Sequence, residues 1–306
     1  MSGVVVRWVI ESSLQTMCHT PRGDTEFVRN GFASPGHLEW FAALQRRTPT
    51  MSSMSAARHG LSTRMESMRE YQQFAQFYDA LMGDGSSRSA RILEAIDRFD
   101  VDATSLLELG CGTGSVLDGL DSIPTLVGLD ASAGMLSAAA AKVPSAELVL
   151  GDMADFDLGT TFDVVACVYD TVNHLVNYEL WESLFEGVAR HLKPGGLFIF
   201  DLNTMGRLHQ LVASPPWVHD FDGNTLIMNV RSNGDEATIW DIRVFASSGD
   251  GTFTLHHENI QELGVALETV RTTLATEFDL LHEEDDSGGP PTDESSRAYF
   301  VYRRLG

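Results

Sequence analysis

A run of glycines and small residues stands directly after a short apolar stretch, at Leu106–Ser115, in the order LLELGCGTGS. Glycines carry no Cβ atom, so such a turn lets backbone amides approach a ligand closely at the start of the next helix. The dinucleotide pattern G-x-G-x-x-G would need glycine where the chain has Ser115, and the Gly-Lys-Ser/Thr end of a P-loop does not follow. The turn therefore predicts a cofactor site and disfavours a pyrophosphate or triphosphate ligand.

Acidic residues end the next two apolar stretches of the chain. Asp130 closes Gly128-Leu129-Asp130, where its carboxylate can accept hydrogen bonds from both hydroxyls of a ribose and attract a cation. Asp152 and Met153 follow the third stretch, where the carboxylate can bind an adenine amino group and the methionine can lie against the ring. Open α/β sheets bind ligands at the carboxyl ends of their strands. Together these residues predict a site for S-adenosylmethionine (SAM), a cationic nucleoside.

Polar residues that could act on a methyl acceptor follow the fourth apolar stretch, in the order Tyr169-Asp170-Thr171-Val172-Asn173-His174-Leu175. Methyl transfer from a sulfonium is an in-line displacement that needs alignment, partial desolvation and an unprotonated nucleophile. A histidine side chain ordinarily titrates near neutrality, so His174 could orient a substrate amine or accept its proton; the alternative is a purely structural histidine. Asp170 and Asn173 could position the substrate, or could simply cap the next helix. These three are the candidate catalytic residues, and we expect no metal.

Short apolar runs alternate with helix-length stretches through the middle of the chain. This alternation predicts right-handed crossovers and a parallel sheet. The strands are predicted at 105–109, 125–129, 147–150, 164–169 and 197–202, and the helices at 115–120, 132–142 and 177–192. An earlier helix is indicated by the apolar spacing of Phe74, Phe77, Tyr78 and Leu81.

The apolar period changes to two after Asn203, which predicts an antiparallel insert at about 215–262. Alternation along its strands places Asp241 and Arg243 on one face and separates His256 from His257, so these histidines should not bind a metal together. A helix near 265–276 and closing strands at 278–284 and 297–302 complete the pattern.

From about Tyr71 onward the chain resembles the class I SAM-dependent methyltransferases, through the motifs ELGCGTG, GLD, GDM, FDVVACV and LKPGG. The resemblance implies an α/β fold, with a Rossmann-like seven-stranded sheet that has one reversed strand and an antiparallel β insert after strand five. It also implies that the methionine carboxyl and amino groups of SAM lie near Gly110 and Gly112, the ribose on Asp130, and the adenine near Asp152 and Met153.

Three further residues join the predicted cofactor site through the same resemblance. Glu108 and Cys167 lie within two of the motifs. Tyr78 belongs to a Tyr-Asp pair that often closes over the cofactor in this family; the alternative is an aromatic residue that only anchors its helix.

The segment from Tyr169 to Leu175 is similar to that of small-molecule N-methyltransferases, especially dimethyltransferases of nucleotide-linked deoxyaminosugars. In those enzymes the insert roofs the substrate site and can support dimer contacts. This implies a small-molecule methyl acceptor, with an amine nitrogen favoured and an oxygen or carbon atom as the alternative, and a monomer or homodimer. A SAM-binding protein without catalysis is the alternative from another class.

The overall composition restricts the partners. The formal net charge of −22 disfavours nucleic acid and anionic lipid surfaces, and therefore macromolecular nucleic-acid substrates. The three cysteines form no CxxC pair, which is typical of neither a disulfide framework nor a zinc site and favours a reducing cytoplasm. The most apolar N-terminal stretch is far shorter than the roughly 20 residues of a membrane span. We expect neither a nucleic-acid nor a membrane partner.

The chain divides by composition near residue 64. Residues 1–64 mix basic and hydroxyl residues without lasting periodicity, which predicts a poorly structured extension. Two explanations stay open: a start codon assigned upstream of the real one, or a regulatory or partner-binding arm. Residues 65–306 form the predicted methyltransferase domain, with the insert as its substrate lid.

Overall fold

The computed structural model describes Arg7–Trp8 and residues 74–306 except position 235. The chain divides into two compact units, Met1–Val9 with Ser67–Gly306, and Ile10–Glu66, and every described residue belongs to the first. The extension predicted at 1–64 therefore lies outside the described residues, apart from Arg7–Trp8.

A mixed β-sheet forms the centre of the described unit. Its strands are β1 (Arg7–Trp8), β2 (Ser105–Leu109), β3 (Thr125–Asp130), β4 (Glu147–Leu150), β5 (Phe162–Cys167), β6 (Leu192–Asn203), β11 (Phe278–Asp285) and β12 (Arg297–Arg304). The order is β1-β4-β3-β2-β5-β6-β12-β11, and β12 runs antiparallel to both of its neighbours. The two-residue β1 only extends the edge beyond β4. The seven-stranded sheet with one reversed strand is thus confirmed.

Within residues 74–306, six α-helices accompany this sheet and the antiparallel sheet described below. They are α1 (Ala75–Met82), α2 (Ser86–Arg98), α3 (Ala133–Lys142), α4 (Tyr178–His191), α5 (Met205–Ala213) and α6 (Leu267–Leu274). Strand side chains alternate between two core clusters, with Leu107 and Val165 in one and Leu106 and Val164 in the other. Burial on both faces explains why these strands are continuous apolar runs. None of the helices described is both long and apolar enough to cross a membrane.

The helix prediction was wrong in two places. The helix expected at 115–120 is only a 3-10 helix, Leu117–Leu120. Its Gly119 is a poor helix former. The position needs glycine because a Cβ atom there would lie 2.5 Å from Ser89 Oγ of α2. Helix α5 was missed, although the Thr204 side chain caps it by accepting a hydrogen bond from the Arg207 amide at 3.1 Å.

The predicted antiparallel insert is a four-stranded sheet of β7 (Trp217–Phe221), β8 (Asn224–Ser232), β9 (Ala237–Ser247) and β10 (Phe253–Leu263), in the order β10-β9-β8-β7. Strand β7 was not predicted. One face packs against Phe74 and Phe77, through Leu226, Ile242, Val244 and Ile260. On the other face, Asp241 pairs with Arg243 at 2.8 Å and His257 at 3.1 Å. His256 instead packs against Phe77, with ring centroids 5.1 Å apart, so the separation of the two histidines is confirmed.

Asp163 connects three strands at the amino ends of β2 and β5. Its Oδ2 accepts hydrogen bonds from the Ser105 amide at 3.0 Å and the Thr104 amide at 3.1 Å, and Oδ1 accepts one from Lys193 Nζ at 2.7 Å. Partial burial opposes ionisation of this carboxyl, but the hydrogen bonds from Lys193, Ser105 and Thr104 outweigh it and lower the pKa of Asp163 to about 2. The carboxyl ends of these strands lie at the opposite edge of the sheet, where the candidate site is located.

Candidate active site

The glycine turn after β2 places two of its glycines in different surroundings. Gly110 and Gly112 have φ angles of 67° and 54°, in the left-handed region that favours glycine. A Cβ atom at Gly110 would lie 2.2 Å from Thr171 Cγ2, whereas one at Gly112 would meet nothing within 4 Å. Gly110 is therefore required by packing against the segment after β5, while Gly112 faces open space above the strand ends.

The Asp130 carboxylate is fixed by backbone amides on both oxygens. The Gly112 amide donates to Oδ2 and the Ser132 amide donates to Oδ1, each at 2.8 Å. Burial raises the pKa of Asp130 more than these two hydrogen bonds lower it. A carboxylate oxygen can accept a second hydrogen bond, so the geometry leaves capacity for the predicted ribose hydroxyls.

The Glu108 carboxyl provides a test of whether SAM fits this site. Its side chain is 2% exposed, and its buried Oε2 has no hydrogen-bond partner among the residues the structure describes. Burial and the neighbouring charge of Asp130 raise the pKa of Glu108 well above its ordinary value. A cationic ligand would relieve both costs, and SAM carries an ammonium and a sulfonium group. The strand ends therefore fit this cofactor.

Helix α1 is tied to the glycine turn beside this site. Asp79 Oδ2 accepts a hydrogen bond from Lys142 Nζ at 2.6 Å, and Oδ1 accepts one from Thr113 Oγ1 at 2.5 Å. The adjacent Tyr78 is half-buried, and burial together with the charges of Asp170 and other nearby acidic groups raises the pKa of its phenol. Tyr78 thus packs beside the carboxylates. This position is compatible both with closure over the cofactor and with an aromatic residue that only anchors its helix.

The other predicted cofactor-binding residues differ in their exposure. Asp152 and Met153 are half-buried just beyond β4; Asp152 Oδ1 accepts a hydrogen bond from the Ala154 amide at 2.9 Å, and Met153 packs on a core cluster. Cys167 is completely buried, and burial raises the pKa of its thiol. The structure therefore places Cys167 beneath the site rather than at its surface.

The segment after β5 is held in an unusual backbone conformation. Tyr169 and Asp170 have φ angles of 62° and 51°, which are costly for residues other than glycine. The fully buried Asp201 accepts hydrogen bonds from both amides, at 3.2 Å from Tyr169 and 2.7 Å from Asp170. One carboxylate at the end of β6 therefore sets the direction in which this segment leaves the sheet.

Two arginines neutralise the carboxylates of this region. Arg297 Nη2 lies 2.7 Å from Asp170 Oδ1, and Arg297 Nη1 pairs with Asp201. Arg88 Nε lies 3.1 Å from Asp201 Oδ2. Asp170 stands at the N-cap of the 3-10 helix Thr171–His174, but its side chain makes no capping hydrogen bond there. Asn177 caps α4, so the capping alternative was wrong for Asp170.

Asn173 has a structural role that differs from the predicted catalytic one. It is fully buried, and its Nδ2 donates to the carbonyl oxygens of Asn203 at 3.0 Å and Leu263 at 2.9 Å. Its Oδ1 accepts a hydrogen bond from the Asn203 amide at 3.0 Å. With its amide occupied by backbone groups, Asn173 holds β6 and β10 together instead of facing a substrate.

His174 lies with Asp170 and Glu262 in a compact group, in which one ligand atom of each is within 4.8 Å of the others. Burial lowers the pKa of the imidazole, although the charge of Asp170 and a hydrogen bond to the Gln261 backbone oppose this shift. His174 is therefore neutral near pH 7. The three side chains are close enough to share a metal ion, but Arg297 already supplies a positive charge to Asp170.

Asp170 also lines a cavity of about 360 Å³ between the two sheets. The cavity is bordered by carboxylates, arginines and an indole ring, from Met82, Asp170, Asn203, Arg207, Trp240, Asp286, Ser296 and Arg297. Asp201 and Asn203 were not among the predicted site residues, although both lie in the last three positions of β6. No local pattern singles out Glu262 or Arg297, which reach the site from distant strands.

Comparison with known proteins identifies part of the chain directly. Residues 106–196 match a family model described as a methyltransferase domain. A solved S-adenosylmethionine-dependent methyltransferase from Clostridium acetobutylicum superimposes with a TM-score of 0.70 and 25% sequence identity, over 77% of this chain and 99% of that one.

Two curated relatives are similar over a shorter region. The dTDP-3-amino-3,6-dideoxy-alpha-D-glucopyranose N,N-dimethyltransferase of Streptomyces fradiae is 35% identical over 42% of this chain and 52% of its own length. The dTDP-4-amino-2,3,4,6-tetradeoxy-D-glucose N,N-dimethyltransferase of Saccharopolyspora spinosa is 30% identical over 42% and 53%. The chain thus spans about half the length of these relatives. With its strand order and its matched domain, this chain has the fold of the class I SAM-dependent methyltransferases and carries a methyltransferase domain at residues 106–196.

Proposed function

We propose that the protein transfers a methyl group from SAM to the amine nitrogen of a small molecule. The position of the His174 imidazole beside Asp170, which lines the cavity between the two sheets, carries this proposal. A carboxylate stabilises the positive charge that develops on an unprotonated amine as it is methylated, and a neutral imidazole can accept the proton that the nitrogen then loses. When bound, SAM supplies an electrophilic methyl group.

The residues of the chain divide into a cofactor group and an acceptor group. Glu108, Gly112 and Asp130 bind and orient the cofactor at the ends of β2 and β3, with Asp152 and Met153 at the adenine. Asp170 and His174 orient the acceptor. The antiparallel sheet serves as the substrate lid, since Trp240 of β9 lines the cavity.

The curated relatives support an amine acceptor. Both are named as N,N-dimethyltransferases of dTDP-linked aminodeoxysugars. An aminosugar is therefore the first acceptor to test. Because the matched region covers only about half of either relative, other amines are tested beside it. We also propose that the protein is cytoplasmic and acts as a monomer or homodimer.

The test compares acceptors that differ in one group. Aminodeoxysugar nucleotides, simple amines and phenols would be incubated with the purified protein and SAM, and the release of S-adenosylhomocysteine would be measured. Each amine would be paired with the analogue that has a hydroxyl at the same carbon. We expect release with an amine and none with its hydroxyl partner. Release only with hydroxyl or carbon acceptors would contradict N-methylation, and SAM binding without release would favour a non-catalytic SAM-binding protein.

A further inference from the structure

Glu262 is a buried carboxyl that the antiparallel sheet brings into the acceptor site. It is the penultimate residue of β10 and is 2% exposed. Asn203 Nδ2 lies 3.0 Å from Glu262 Oε2 and 3.0 Å from Asp170 Oδ2, so one amide group bridges the two carboxyl groups. An oxygen of one carboxyl group also lies within 4.8 Å of an oxygen of the other.

The charges around Glu262 show which of these groups holds a proton. Facing it are Asp170 and His174 of the segment after β5 and Arg297 of β12, with Asp201 of β6 behind that arginine. Arg297 forms ion pairs with Asp170 and Asp201, and Arg88 forms one with Asp201. None of the described ion pairs includes Glu262. Two carboxyl groups this close in a buried site avoid mutual repulsion when one of them holds a proton, and Asp170 is the one that has an arginine partner. The proton therefore belongs to Glu262, whose pKa burial and the charge of Asp170 raise well above its ordinary value.

We propose that Glu262 is a positioning residue of the acceptor site, which keeps its proton, donates it in a hydrogen bond to Asp170, and so holds Asp170 beside His174 with one negative charge on the pair. A second ionised carboxyl here would place two adjacent negative charges in a buried site. The protonated form avoids that cost and fixes the carboxylate in one orientation.

The catalytic role of this Glu262–Asp170 pair rests on the proposed methyl transfer. As the C–N bond forms, the C–S bond breaks and its electron pair stays on sulfur. The nitrogen then loses its proton to the imidazole of His174, and the fixed charge of Asp170 stabilises the resulting imidazolium. Glu262 touches no reacting atom and neither gains nor loses a proton in the step.

The first test measures proton linkage in the free protein, independently of any substrate. Unfolding equilibria of the wild type and of Glu262→Gln would be compared at matched pH values. Above the ordinary pKa of glutamic acid the unfolded chain loses the proton that folded Glu262 keeps. The unfolding constant of the wild type should therefore rise relative to the variant by up to about tenfold per pH unit, until folded Glu262 also ionises. Glu268→Gln, at an exposed carboxyl, is the control and should give a ratio that does not change with pH.

The second test uses activity with an accepted amine. Glu262→Ala should lower kcat roughly tenfold or more, because it leaves buried Asp170 and Asn203 groups unpaired, with little change in SAM affinity. Glu262→Gln should recover most of that loss, since its amide can donate to Asp170 and accept from Asn203. A Gln variant as impaired as the Ala variant, or a ratio of unfolding constants that is flat with pH, would overturn the proposal. If the wild type methylates no amine, the proposed function fails, while the linkage experiment still decides the protonation of Glu262.

Discussion

The amide nitrogen of Gly112 lies 2.8 Å from Oδ2 of Asp130, so a charge-assisted hydrogen bond joins the glycine turn after β2 to the end of β3. The two predicted cofactor-binding residues therefore form one structural unit. Changes at either residue should affect the same ligand for different physical reasons.

Asp130→Ala should weaken SAM binding. The change removes a carboxylate that accepts from the turn and is positioned to accept from the ribose, and a hydrogen bond to a charged group contributes about 1.5–3 kcal/mol. Isothermal titration calorimetry would measure the affinity. Asp121→Ala, which removes an exposed carboxylate from the next turn, is the control. An unaltered affinity in Asp130→Ala would refute this site assignment.

Gly112→Ala should prevent SAM binding while the protein stays folded. Its Cβ atom would enter open space where the ligand is expected, and the left-handed backbone should cost about 1–2 kcal/mol of stability. Gly223→Ala imposes the same strain, at a φ of 77° in the hairpin between β7 and β8, and also meets nothing within 4 Å. Thermal unfolding with and without SAM should show ligand stabilisation for the control and none for Gly112→Ala. Equal stabilisation of both variants would contradict the placement of the cofactor.

His174→Gln should lower turnover while leaving SAM affinity largely intact. General acid–base groups contribute roughly 10²–10⁴-fold to rate, so a loss of about a hundredfold or more is expected. Because burial lowers the pKa of His174, the wild-type rate should rise with pH through an ionisation below the ordinary value for histidine, and the variant should lack it. His257→Gln, on the exposed face of the antiparallel sheet, should keep the wild-type profile. Equal profiles for His174→Gln and the wild type would rule out a role in proton transfer.

Asp163→Asn should destabilise the fold without touching the active site. The folded pKa of this carboxyl is lowered to about 2, so its contribution is fully present above the unfolded value and disappears as pH falls through about 2. Allowing for solvent screening, we expect a loss of about 1–2 kcal/mol at pH 7. Denaturant unfolding at neutral and acidic pH would measure this difference. A loss that persists undiminished at the acidic end would show that packing, rather than charge, is responsible.

The sequence predicted the sheet and the cofactor site better than the acceptor site, for a physical reason. Gly112 lies in the turn just after β2 and Asp130 ends β3, and apolar runs mark the ends of these strands in the sequence. The group around His174 is assembled by contacts between distant segments, since Asp170 and Glu262 are 92 positions apart by their numbers. Asn173 illustrates the opposite error, because a polar residue in a functional segment can be occupied entirely by backbone groups.

The most direct test of the central claim is to locate the transferred methyl group. The protein would be incubated with SAM labelled with carbon-13 at the methyl carbon and with the amine that gives the most S-adenosylhomocysteine, and the product would be examined by NMR. The account predicts the label on the amine nitrogen with the wild type, and strongly reduced labelling with His174→Gln. A label on oxygen or carbon, or no transfer to any acceptor by a protein that binds SAM, would contradict it.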